Sequence, residues 1–192
     1  MGIASAGHLK FRISRRRILF DICRMNYDYY LEKFKKSATH LHKKILLEKQ
    51  LEVSVGIIMN SVFLKLYKRT WMNEGDNETG AKTKIFFSIW VNDKSIKSGR
   101  VFYNIHALKL RQLKGYSISS RNFATHFRND FKKFQHNWKN VSLDFGPLTL
   151  MEGWIELDST HFEDTIVHLA NNFLTIDHLV DDTMIKFKDK IL

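Results

Sequence analysis

The segment Ser120–Lys139, SRNFATHFRNDFKKFQHNWK, interleaves aromatic and basic side chains, a pattern that can hold cations out toward phosphate while the rings anchor the chain. At a helical pitch, Phe123, Phe127, Phe131, Phe134 and Trp138 fall within an arc of roughly 80°. Arg121, Arg128, Lys132 and Lys139 fall within roughly 40° of a line nearly opposite that arc. The chemistry on offer is charge neutralisation of a polyanion, nucleic acid being the commonest. An amphipathic helix must put something polar outward whatever its role, and Lys and Arg are ordinary outward residues, so the rib by itself reads more readily as a solvated face.

The wider charge map gives the rib more weight. Between Lys94 and Asn140 eleven basic residues stand against the single acid Asp130, whereas Val141 to Met184 holds nine acids and no Lys or Arg. If the two regions fold against each other they neutralise, each exposed pair contributing only about 0–1 kcal/mol. If they point apart, the surplus of the +11 chain can orient it on an anion. The expected anion-binding set is therefore Arg121, Arg128, Lys132 and Lys139, with Lys109, Arg111 and Lys114 nearby.

Candidate catalytic groups are scarcer. His106, two residues from Asn104 on an expected strand, is the one histidine placed to act as a general base in a pocket between sheet and helices. The plainer reading is a hydrogen-bonded, partly buried histidine. His161, Asp164 and His168 share one helix face, but the two histidines lie about 10 Å apart along the axis, too far for two ligands of one ion. Asp130-Phe131-Lys132 has the D-x-K spacing of metal-dependent nucleases but sits mid-helix, where i and i+2 face apart. No P-loop, dinucleotide fingerprint, nucleophile elbow, HExxH or CxxC occurs, so no cofactor, metal or catalytic residue is assigned and enzymatic activity stays open. Three readings follow: a non-enzymatic polyanion binder, a small ligand-binding domain or enzyme using a pocket near His106, and a helix-mediated interaction module that pairs with a partner or a second copy.

The elements that would position these groups are legible in the hydrophobic pattern. Tyr27, Leu31, Phe34, Ala38, Leu41 and Ile45 recur at four and three, which predicts one helix. Val53–Asn60 fits no single pattern, Ser61–Trp71 reads as a strand, and the polar run Asn73–Thr83 as a long turn. Lys84–Asn92, KIFFSIWVN, is apolar on both faces, as in the central strand of a covered sheet. Asp93–Gly99 reads as a turn and Arg100–Leu110 as a third strand, followed by the helix Ser120–Lys139 with Ser119 or Ser120 as N-cap. Val141–Leu157, broken at Gly146-Pro147, holds one or two further strands. The tail Thr160–Ile191 is helical with a Thr160/Glu163 capping box, and its break falls near Asn171-Asn172 or Thr175. Hairpin-length links and single-stripe helices predict an α+β two-layer sandwich: a mainly antiparallel sheet of four to five strands with helices packed on one face.

Length and composition set the outer bounds. The chain of 192 residues, 44% hydrophobic, suits one domain over residues 25–192. Residues 1–24 are basic and read as a disordered leader or an upstream-start extension, with a transit peptide as the alternative. A single cysteine, Cys23, suits a reducing, cytoplasmic setting. The uncharged run Val53–Leu64 is far short of the roughly 20 residues that cross a bilayer, so no membrane partner is expected.

Overall fold

A computed structural model describes residues 26–76 and 80–189. The reading of residues 1–24, and Cys23 within them, lies outside the described residues.

The first expected helix is two. Helix α1 (Tyr27–Thr39) starts where the Asn26 side chain accepts from the Tyr29 amide, and it stops at His40; α2 (Lys43–Glu48) resumes the stripe. Leu41, in the break between the two helices, is in the core, 3% exposed.

Five strands follow: β1 (Leu51–Ile58), β2 (Ser61–Lys68), β3 (Lys84–Asn92), β4 (Arg100–Leu108) and β5 (Thr149–Glu156). They form one antiparallel meander in the order β1-β2-β3-β4-β5. The segment without a clear pattern is thus β1, an edge strand that pairs on one side only. Met59 and Asn60 close the first hairpin, both at positive φ (46° and 58°), as a two-residue primed turn requires. A short helix α3 (Asp93–Lys97), started by an Asn92/Ser95 capping box, fills the expected turn between β3 and β4.

Alternation along each strand divides the sheet into two faces. One carries Leu64, Ile89 and Tyr103 in register and takes the helices α4 (Ser120–Phe131), α5 (Phe162–Ile176) and α1, with α6 (His178–Ile185) behind α4. Phe87 stacks on Phe173 of α5 with centroids 4.7 Å apart, and Trp138 lies 5.0 Å from Phe173 and 5.2 Å from Tyr103. Opposite Tyr103 stands Gly153, where any Cβ would run into the phenol ring. The Tyr103 hydroxyl donates to the Lys139 carbonyl and closes this layer.

The C-terminal helix starts without the Thr160/Glu163 box. Asp158 instead accepts from the Thr160 and His161 amides, and Glu163 turns toward α1. The helical tail breaks at Asp177, which ends α5 and begins α6.

The acids of the last third pair with lysines of the first third. Glu163 meets Lys33 at 2.7 Å and Lys36 at 2.8 Å, Asp177 meets Lys49 at 2.7 Å and Lys68 at 2.9 Å, and Asp181 meets Lys68 at 2.6 Å. Lys33 first and Lys36 second hold the Glu163 carboxyl down from its ordinary 4.5 to about 2. A folded value below the unfolded one means the contribution is complete above pH 4.5 and fades as pH falls toward 2. Glu163→Gln is expected to flatten the fall of the urea midpoint between those pH values, and an unaltered acid limb would show that the α1–α5 pairs contribute nothing.

Candidate functional site

Consecutive strands in register carry side chains across the uncovered face of the sheet in rows. One row is Phe63, Trp90, Phe102 and Trp154; the next is Lys65, Ser88, Asn104 and Glu152; the third contains Phe86, His106 and Thr149. A polar row thus runs between two rows that are largely aromatic. Phe63 and Trp90 of the first row, all four of the second, and Phe86 and His106 of the third line a cleft of about 480 Å³ whose rim includes Ile58 and Met59 of the first hairpin.

This explains why β3 is apolar on both faces. Phe87 and Ile89 meet helices, while Phe86 and Trp90 line the cleft, so the second apolar face marks a concave surface and no second helical layer lies on it among the described residues. A pocket of about 540 Å³ does lie between the sheet and α5, lined by Tyr103, Ile155, Asp164 and His168, but the placing of His106 in it is corrected: His106 lines a separate cleft on the face turned away from the helices.

The polar row is built unusually for a sheet surface. Lys65 and Ser88 are buried, and Asn104 is only 3% exposed. The Lys65 ammonium sits 4.2 Å from the centroid of Phe63 and 4.9 Å from that of Phe86, a cation held between two ring faces. Asn104 Nδ2 donates to Glu152 Oε2 at 3.2 Å. A carboxylate only accepts, so this bond fixes which way the amide points. Asn104 Oδ1 then has no partner, the one buried side-chain oxygen or nitrogen so placed among the described residues. An unmade hydrogen bond in a buried group costs about 1–3 kcal/mol, which makes this oxygen a ready acceptor.

His106 is half-buried at the end of the third row. Its Nδ1 lies 3.3 Å from the Leu148 carbonyl and 3.2 Å from the Thr149 hydroxyl, and its ring lies 5.3 Å from Phe86. A carbonyl can only accept, so the proton belongs on Nδ1 and Nε2 is left an acceptor. Burial pushes the His106 pKa below its ordinary 6.5; the Leu148 carbonyl and the Glu152 charge oppose that shift, and Lys65 adds to it.

Two members of the expected anion-binding set, Lys139 and Arg128, stand apart from the rest. The helix expected over Ser120–Lys139 ends at Phe131, and a 3-10 turn at Gln135–Asn137 brings Trp138 into the core, so Lys139 lies beyond the helix that carries Arg121, Arg128 and Lys132. Arg128 is occupied: its Nε donates to the Leu150 carbonyl at 3.0 Å and its Nη2 to those of Phe145 (2.8 Å), Gly146 (3.0 Å) and Thr149 (2.8 Å). Burial lowers its pKa against the pull of Asp144. Arg121, Lys132, Lys139, Lys109, Arg111 and Lys114 are exposed, and no acid of the described residues pairs with them. His161 pairs with Asp158 at 2.8 Å and His168 lies 3.4 Å from Asn172; no trio of His, Cys, Asp or Glu among the described residues is placed for a metal ion. No helix of the described residues is long and apolar enough to cross a membrane.

Sequence reasoning found His106 and passed over Lys65, Ser88, Asn104 and Glu152, because what unites those four is cross-strand register. The available signal was a polar residue set between two rings on one face of each of three strands: Phe63-Lys65-Tyr67, Phe86-Ser88-Trp90 and Phe102-Asn104-His106. Searches of known protein families, curated proteins and solved structures find no match for this chain.

In an NMR titration the His106 ring is expected to titrate below 6.5. Glu152→Gln should move it further down and Lys65→Met should move it up; a midpoint at or above the ordinary value would contradict the burial described.

Proposed function

We propose that the protein is a small-ligand-binding module whose ligand seats in the cleft on the open face of the sheet. The observation that carries this reading is Asn104, buried to 3% exposure with an acceptor oxygen that nothing in the described chain satisfies. A fold leaves such a group unpaired at a cost, and binding sites are where that cost is recovered. The surroundings support it: rings of Trp90, Phe86 and Phe63 supply apolar contact area, and a few polar groups among them can fix orientation. The volume of about 480 Å³ suits a small molecule. Binding and orientation are what the reading assigns; His106, neutral near pH 7, is placed to accept a proton or a hydrogen bond but no reaction is attached to it.

The test uses anilinonaphthalene sulfonate, an anionic fluorescent probe whose aromatic rings seek apolar surface. Saturable binding to the full chain is expected, weakened about tenfold or more by Ser88→Phe, which fills the floor of the cleft, and by Trp90→Ala, which removes a wall. Circular dichroism and a urea melt establish that both variants are folded. No saturable binding, or binding indifferent to both substitutions, overturns the proposal.

A second reading is polyanion binding, nucleic acid included, through Arg121, Lys132, Lys139, Lys109, Arg111 and Lys114. It is supported by the pairing of the C-terminal acids with Lys33, Lys36, Lys49 and Lys68, while no acid of the described residues pairs with these six side chains. Heparin retention that falls steeply with salt, and falls further in Arg121→Glu with Lys132→Glu, is the expected result; salt-independent retention rules this reading out. A cytoplasmic setting, drawn from the single Cys23, is compatible with either reading.

A further inference from the structure

Resting on the cleft reading, we infer that the ligand is a flat nitrogen heterocycle that turns an edge bearing N–H donors toward Asn104 and Glu152.

The donor requirement comes from what the polar row lacks. Asn104 Oδ1 is an acceptor with no partner. The Glu152 carboxylate takes one proton, from Asn104 Nδ2, and has capacity for more. His106 Nε2 is an acceptor by the tautomer that the Leu148 carbonyl selects. Two of these acceptors, on Asn104 and Glu152, face each other across β4 and β5, and the third, on His106, stands two residues further along β4. A ligand whose buried edge is carbonyl or carboxylate would set oxygen against oxygen there, whereas amine, ring N–H or amino-heterocycle groups would satisfy all three. Lys65 does not reverse this balance, because it stands at the β2 end of the row, two strands away from Asn104 and three from Glu152.

Flatness comes from the rows that flank the strip. Phe63 and Phe102 stand four residues along their strands from Tyr67 and His106, and Trp90 stands four from Phe86, so the two walls are about 13 Å apart at the backbone. A ring standing midway is about 6–7 Å from either wall, inside the 4.5–7 Å range in which aromatic centroids interact. On one side Trp90, which lines the cleft, is held by a stack on Phe102 with centroids 4.7 Å apart and planes 14° from parallel. On the other wall Phe86 and His106 lie 5.3 Å apart. An aliphatic chain would gain contact area there but no ring contact on either side, and it would bring no donor to the floor.

The distinguishing experiment compares adenine with purine, which has the same ring without the exocyclic amine, by calorimetry on the intact full-length chain. Adenine is expected to bind at least about tenfold more tightly than purine, the effect of one buried donor finding its acceptor. In Asn104→Leu the ratio should fall toward one through loss of adenine affinity alone. The comparison on the unaltered protein needs no variant, so the test survives a misfolded Asn104→Leu. Competition against anilinonaphthalene sulfonate separates this inference from the reading beneath it. A probe that binds in the cleft but is displaced by neither base sinks the heterocycle and spares the cleft. Equal affinities for the two bases sink the donor edge.

Discussion

The arrangement depends on a buried junction where the end of β2 meets the corner between α5 and α6. Asp177, 2% exposed, accepts from the ammoniums of Lys49 and Lys68, while Asp181 accepts from Lys68 and from the indole of Trp71 at 2.7 Å. Burial works against the charge on Lys68, but the carboxylates of Asp181 and Asp177 outweigh it and its pKa ends above the ordinary value. Charges in such a place are tolerable only when fully paired, and removal of one partner typically costs 3–5 kcal/mol. The junction thereby sets where the helical tail turns and pins α5 and α6 to the same side of the sheet as α1. The opposite face is left to the cleft.

The charge map of the sequence takes on a different meaning in this light. The acids from Asp144 to Asp182 could have screened the basic helix that precedes them. Instead Glu163, Asp177 and Asp181 reach back to lysines of α1, α2 and β2, so the asymmetry closes the chain ends onto each other. The one acid inside the basic region, Asp130, meets Lys186 at 3.1 Å and joins α4 to the end of the tail. Charge segregation along a chain therefore served assembly of the helical layer, with the cations of the middle third left outward.

How much was legible follows from what each signal measures. Alternation and stripes report on single elements, so β2, β3, β4 and the antiparallel two-layer plan could be read from the sequence. Breaks were harder. His40–His42 and Lys132–Phe134 carry no glycine or proline, and the chain turns there with Leu41 and Trp138 in the core. The cleft was hidden for a related reason. Lys65, Ser88, Asn104 and Glu152 are 87 residues apart at their extremes, 152 less 65, and only the register of three strand pairs puts them in line. His106 could be singled out because a histidine invites attention by its chemistry alone; a serine, an asparagine and a buried lysine do not.

Arg128 links the two halves of this picture. Its guanidinium gathers the carbonyls of Phe145 and Gly146 in the loop before β5 and those of Thr149 and Leu150 at the start of that strand. Leu148 lies between the two pairs, and its carbonyl decides which nitrogen of His106 carries the proton. A side chain on the outer helix thus acts as the keystone of a loop, and through the loop it sets the polarity of an imidazole on the far side of the sheet.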